Sequence, residues 1–189
     1  MTPLTAKLLH LTCMVIWWLI RRPFVRKARR NTLVRNGRDA REWALMTMST
    51  IGLGVIPFAY IATDFPAGAD QTFSPLRAWL GIGVFAGSLT LFQATHRTLG
   101  RNWSVTLAVR DGHELITRGV YRWLRHPMYA AFWLWALAQA LLLQNWVAGL
   151  AGLIGFGALY ALRIGREEAL MRLTFGAAAR TRRVIPFLH

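Results

Sequence analysis

The sequence predicts an all-α integral membrane protein: five transmembrane helices, the last two forming a C-terminal helical hairpin. Three observations carry that expectation. Apolar residues make up 54% of the 189-residue chain and mean hydropathy is +0.32, above what a soluble domain usually shows. The apolar residues gather in five runs, and the basic residues gather in alternate loops between them.

The runs are residues 4–20, 44–63, 78–95, 128–143 and 146–164. A helix rising 1.5 Å per residue needs about 20 apolar residues to cross a bilayer, with about 17 as the lower limit. The fourth run falls below that limit. Only Gln144 and Asn145 separate it from the fifth, so the two should form a tight hairpin across a thinned or shielded part of the bilayer. Nine Trp and ten Phe suit a chain with two membrane interfaces. The length allows one domain over 1–189, with three spans in 1–95 and the polar, chemistry-bearing half in 96–189.

Charge then sets topology. Segment 21–42 carries nine Lys/Arg against two acids, 96–126 carries six against two, and 163–189 again six against two. Segment 64–77 has one Arg and two acids. Three basic segments on one side of a five-span chain place the N-terminus outside and the C-terminus in the cytosol. Topology therefore accounts for the net charge of +15, and no nucleic-acid partner is expected. The first basic loop should rest on membrane lipids with anionic headgroups.

The first run lacks a basic stretch before it and a small-residue cleavage site after it, so it should be retained in the protein. The one cysteine, Cys13, and five scattered histidines offer neither a disulfide framework nor metal-ligand spacing. Gly83 and Gly87 sit inside an apolar run with no strand before them, which excludes a dinucleotide loop. They predict a close helix-packing face, as do Gly149, Gly152 and Gly155.

The chemistry lies between residues 99 and 168. Residues 110–121 read Arg-Asp-Gly-His-Glu-Leu-Ile-Thr-Arg-Gly-Val-Tyr, where Asp111-Gly112 and Gly119 are turn signals that predict a compact loop. Arg125-His126-Pro127-Met128-Tyr129 opens the fourth run. Pro127 suits a first helical turn, and the free amides after it suit an anionic group. The alternative is that His126 only caps the helix and Tyr129 only anchors it at the interface. Arg163 and Glu167, four residues apart, share a helix face. They form either a simple salt bridge of roughly 0.3–0.5 kcal/mol or a functional pair, since ionisable groups at a span end must snorkel, pair or work.

Taken together, His113-Glu114-Leu115-Ile116, Tyr121, the 125–129 stretch, and Arg163 followed by Glu167 resemble the isoprenylcysteine carboxyl methyltransferase family, in particular its short five-span prokaryotic members. The resemblance covers residues 97–189 by motif and the first two spans by layout, and Asn102, Trp103 and Ser104 belong to the same pattern. It implies a cytosolic cofactor pocket and methyl transfer from S-adenosyl-L-methionine to a lipid-like substrate, the carboxylate of a prenylated cysteine or an analogue. It implies that His113, Glu114, Leu115, Ile116, Tyr121, His126, Pro127, Met128 and Tyr129 line the cofactor pocket. Glu167 would hold the polar end of the cofactor and Arg163 the substrate carboxylate, making these two the catalytic residues. The roles agree with the chemistry of the side chains: an arginine fork matches a carboxylate, and sulfonium cations are drawn to aromatic faces. The tail departs from the family pattern. After Phe175-Gly176 it runs Ala177-Ala178-Ala179-Arg180-Thr181-Arg182-Arg183-Val184-Ile185-Pro186, short and without tyrosine.

Other readings share part of this pattern. A sterol-type membrane reductase using NADPH carries a similar Arg-His-Pro-x-Tyr stretch. Within the methyltransferases, a thiol or a phospholipid amine is an alternative acceptor and would need a base near Arg163. A non-enzymatic membrane scaffold would bind no nucleoside cofactor.

Overall fold

The computed structural model describes residues 1–28, 33–36, 40–100, 108–110 and 117–175. Helix α1 (Pro3–Ala28) is followed by α2 (Ala40–Thr50), which continues through a π-helical segment, Ile51–Val55, into α3 (Ile56–Thr63). Then come α4 (Pro75–Leu99), α5 (Pro127–Leu142) and α6 (Trp146–Phe175). Four stretches are long and apolar enough to cross a membrane: Pro3–Lys27, Ala40–Thr63, Pro75–Leu99 and Trp146–Ala169. Helix α5, with 16 residues, is shorter, as its apolar run predicts. The chain is thus a helical, multi-pass membrane protein.

The fold is helical as expected, with one short ribbon added between the helices. Strand β1 (Leu33–Asn36) pairs antiparallel with β2 (Ala108–Arg110). Both lie in polar stretches between apolar runs, where no helix satisfies the backbone and a ladder does. The ribbon joins the first and second basic segments, so those two emerge at one end of the bundle.

Helix α4 packs on α5 along a stripe of Gly81, Phe85, Ser88 and Phe92, the spacing of one helix face. A Cβ at Gly81 would lie 2.9 Å from the Leu142 side chain, and Ser88 donates to the Ala131 carbonyl at 2.7 Å. Beside this stripe Trp17 meets Trp135 edge-on at 4.9 Å, and Phe132 stacks on Trp135 at 6.0 Å. Gly83 and Gly87 fall off the stripe. Both are exposed, with nothing within 4 Å of an added Cβ, so the packing face predicted for them is not used within this chain. The last-span glycines do pack closely: a Cβ would come 2.7 Å from the Leu143 carbonyl at Gly149, 2.8 Å from the Leu53 side chain at Gly152 and 2.8 Å from the Met48 carbonyl at Gly155. Through Gly155 and Gly152 α6 lies against α2 and the π-helical segment, and through Gly149 against the end of α5.

That segment creates a backbone deficit. In π register the Ile56 amide bonds back to the Ile51 carbonyl, so the next donor, to the Gly52 carbonyl, would come from residue 57. Residue 57 is proline and has no N–H. The buried Gln139 amide fills the gap, donating to the Gly52 carbonyl at 3.0 Å and the Ala148 carbonyl at 2.7 Å. Where no water reaches, such groups must be satisfied internally. Gln139→Leu is therefore expected to cost about 1–3 kcal/mol, a drop of roughly 2–12 °C in the unfolding midpoint of detergent-purified protein. An unchanged midpoint would show that the carbonyls find other donors.

At the other end of α5 the hairpin turn is tied down by its two polar residues. Asn145 Oδ1 accepts from the Val147 and Ala148 amides at 3.0 and 2.8 Å, an N-cap for α6. Its amide donates to the Pro66 carbonyl and to Asp70 Oδ1 at 2.9 and 2.8 Å. Gln144 exchanges bonds with the Ser74 backbone at 2.6 and 2.9 Å. The Asn145 amide and then the Tyr60 hydroxyl hold the Asp70 carboxyl below the usual carboxylate range.

Candidate functional site

At the end of the bundle opposite that turn, α5 begins and α6 extends beyond the bilayer-length core. Pro127 occupies the first turn of α5, preceded by His126 in a non-helical conformation. The Met128 and Tyr129 amides that follow have no intrahelical acceptor, as at any helix start. His126 makes no side-chain cap, which sets aside the reading of it as a capping residue. Its Nε2 instead lies 3.4 Å from Glu168 Oε1, and Arg125 Nη1 lies 3.6 Å from the same oxygen. Glu168 thus anchors the start of α5 to α6.

One residue away on α6, Glu167 accepts a hydrogen bond from the Tyr129 hydroxyl. Tyr129 is buried, and its ring stands edge-on to Tyr160 at 5.4 Å, with Phe156 at 6.1 Å and the His126 ring at 5.7 Å. Phe156, Tyr160 and Glu167 recur at helical spacing, so an aromatic wall runs down α6 from the carboxylate. The preceding turn Gly119–Arg122 brings in Tyr121, which is partly buried. Burial, and then the charge of Glu167, push its phenol well above the usual value. Gly119 is required for this approach: its φ is +59° and a Cβ there would meet Thr98 Oγ1 at 2.6 Å.

Arg163 lies one turn before Glu167 but does not pair with it. Its Nη2 lies 3.1 Å from Oε1 of Glu42, near the start of α2, with side-chain exposures of 13% and 1%. The simple i,i+4 salt bridge raised by the spacing is absent because each member is taken by another helix. Arg163 Nε is buried with no hydrogen-bond acceptor among the described residues.

The structure therefore brings together Tyr121, His126, Pro127, Met128, Tyr129, Arg163 and Glu167. His113, Glu114, Leu115 and Ile116 lie outside the described residues, as does the tyrosine-free tail. Sequence reasoning missed Tyr160, Glu168 and Glu42. Tyr160 was within reach, standing three residues before Arg163 and seven before Glu167. Glu168 adjoins a residue already singled out. Glu42 had no local signal beyond being an acid at the mouth of an apolar run.

The chemical makeup is a cationic fork and a carboxylate on one helix, aromatic faces beside them, and free helix-start amides. Comparison with known proteins shows the family to which this chain is similar. The profile of the isoprenylcysteine carboxyl methyltransferase family matches residues 79–173, half of the chain. A probable protein-S-isoprenylcysteine O-methyltransferase of Oryza sativa subsp. indica is 36% identical over 81 residues, 42% of either chain. The protein-S-isoprenylcysteine O-methyltransferase of Schizosaccharomyces pombe is 33% identical over 100 residues, 52% of this chain and 40% of that one. An uncharacterized protein of Bacillus subtilis, YpbQ, is 31% identical over 99 residues, 52% of this chain and 59% of its own length. The chain thus spans about two to three fifths of the length of these relatives, and the stretch matched by the family profile contains α5, Arg163 and Glu167. By the match over half its length, the chain belongs to the isoprenylcysteine carboxyl methyltransferase family.

Proposed function

We propose that this chain transfers a methyl group from S-adenosylmethionine to the carboxylate of a prenylated cysteine or similar lipid-like acid, at the basic, cytosolic end of a five-span bundle. The observation that carries the reading is the placement of Arg163 one helical turn from the Tyr129–Glu167 pair, which provides for two oppositely charged guests side by side.

The residues suit the cofactor. Glu167 is an anion for its ammonium, the Met128 and Tyr129 amides are donors for its carboxylate, and the rings of Tyr129 and Tyr160 offer π faces to its sulfonium. When bound, S-adenosylmethionine supplies an electrophilic methyl group whose loss leaves a neutral thioether. The chain need move no proton, because a carboxylate acceptor is already ionised at neutral pH. Its task is alignment: Arg163 orients the acceptor, Tyr129 and Glu167 orient the donor, and the aromatic wall keeps water out. Holding two reactants in line can by itself supply about 7–11 kcal/mol of the barrier. The basic segments, two of them joined by the β1–β2 ribbon, support placing this end in the cytosol, with α5 as the short fifth span.

The test is binding of S-adenosylhomocysteine to detergent-purified protein by calorimetry, with NADPH in parallel. Saturable micromolar binding of the first alone is expected. Binding of NADPH instead would replace the proposal with the reductase reading, and binding of neither would point to a scaffold.

A further inference from the structure

We propose that Glu42 is a positioning residue for the acceptor: its carboxylate, reaching across from the start of α2, fixes the Arg163 guanidinium so that the remaining N–H donors are held ready for the acceptor carboxylate. This rests on the assignment of Arg163 to the acceptor. Glu42 lies outside the stretch matched by the family profile, residues 79–173, so the resemblance assigns it nothing.

Three observations converge on it. Glu42 is 1% exposed and its Oε1 is 3.1 Å from Arg163 Nη2. A pair serving only to solvate a span end would leave both groups at the surface, because a long arginine side chain snorkels to water when it can. The neighbouring Arg41 reinforces the junction, its Nη2 donating to the Leu162 carbonyl at 3.4 Å. Two successive residues of α2 therefore grip two successive residues of α6. Finally, Glu42 stands in the first turn of α2, where the helix dipole favours a carboxylate, so its charge is supported from two sides.

The guanidinium shows why such a brace is useful. It carries five donors in one plane. Glu42 takes one corner, and Nε is buried with no acceptor among the described residues. A buried donor left without an acceptor is the kind of group a ligand completes. Without a brace the long side chain would sample several rotamers, and a fork misplaced by about 1 Å loses its match to a carboxylate.

The experiment compares wild type, Glu42→Gln and Glu42→Asp in the full-length chain. It uses N-acetyl-S-farnesylcysteine as acceptor and calorimetric S-adenosylhomocysteine affinity as the independent readout. Glu42→Gln is expected to raise acceptor KM on the order of 10- to 100-fold, with S-adenosylhomocysteine Kd within about twofold of wild type. Glu42→Asp, which keeps the charge on a shorter stem, should fall between. If the Glu42→Gln variant fails to fold, Glu42→Asp carries the test alone by its own, smaller KM rise. An unchanged or lowered acceptor KM in a folded variant would overturn the proposal, a lowered one identifying Glu42 as a carboxylate that competes with the acceptor. Loss of S-adenosylhomocysteine binding in both variants would also overturn it, assigning Glu42 to the scaffold. A wild-type chain that binds S-adenosylhomocysteine but does not methylate this acceptor would defeat the functional reading itself, and the role of Glu42 with it.

Discussion

Arg163→Lys is expected to lower kcat/KM for a prenylated cysteine on the order of 10- to 100-fold, while S-adenosylhomocysteine affinity stays within about twofold. Arginine offers a carboxylate two parallel N–H donors from one rigid plane, whereas lysine offers a single compact charge. Charge-assisted hydrogen bonds contribute about 1.5–3 kcal/mol each, so losing one arm of the fork removes about one to two decades of acceptor binding. Lysine is the informative substitution because of Glu42. Arg163→Ala would also strip a counter-charge from a carboxylate that is 1% exposed, and breaking a buried pair costs about 3–5 kcal/mol of stability. Alanine would thus mix a folding defect with a binding defect, while lysine keeps a cation opposite Glu42. Radiolabelled methyl transfer to N-acetyl-S-farnesylcysteine measures the first quantity and calorimetry the second. A parallel loss of both would show that Arg163 serves the scaffold, and full activity in the lysine variant would remove it from acceptor recognition.

The fold was legible in the sequence where local chemistry decides it. Apolar runs become helices because a lipid-exposed backbone must satisfy itself. Pro75 and Pro127 start helices because a first turn needs no N–H there. Gln144-Asn145 marks a turn that the structure confirms and elaborates, with Asn145 capping α6 while tying down the 64–74 loop. What was hidden depends on which face meets which. Gly81, not Gly83 or Gly87, received the close contact, a choice made by where Leu142 of α5 falls. The π-helical segment and its repair by Gln139 join positions 87 apart in sequence. The β1–β2 ribbon pairs loops that share no pattern. The site divides the same way. Tyr129 and Glu167 belong to one motif order and do meet. Arg163 meets Glu42, a far-off partner in sequence that only the docking of α2 on α6 could reveal.

Glu167→Gln should then weaken S-adenosylhomocysteine binding roughly 10- to 100-fold, the loss of one charge-assisted contact at about 1.5–3 kcal/mol. The substitution keeps the volume and an acceptor oxygen for the Tyr129 hydroxyl, so the start of α5 should remain docked on α6 through Glu168 and Arg125. What disappears is the negative charge opposite the ammonium. Tyr129→Phe separates the carboxylate from its orientation. The ring and its edge-on packing against Tyr160 survive, but the hydroxyl that fixes one carboxylate oxygen is lost. Binding should therefore weaken only a few-fold, by about 0.5–1.5 kcal/mol. Combining the two changes distinguishes a shared device from two separate ones. If Tyr129 acts by orienting the Glu167 charge, the double variant should bind scarcely worse than Glu167→Gln alone, because contacts in one network are not additive. Full additivity in calorimetry would mean that the Tyr129 hydroxyl contacts the cofactor independently, and an unchanged Kd in Glu167→Gln would exclude the carboxylate from the cofactor site.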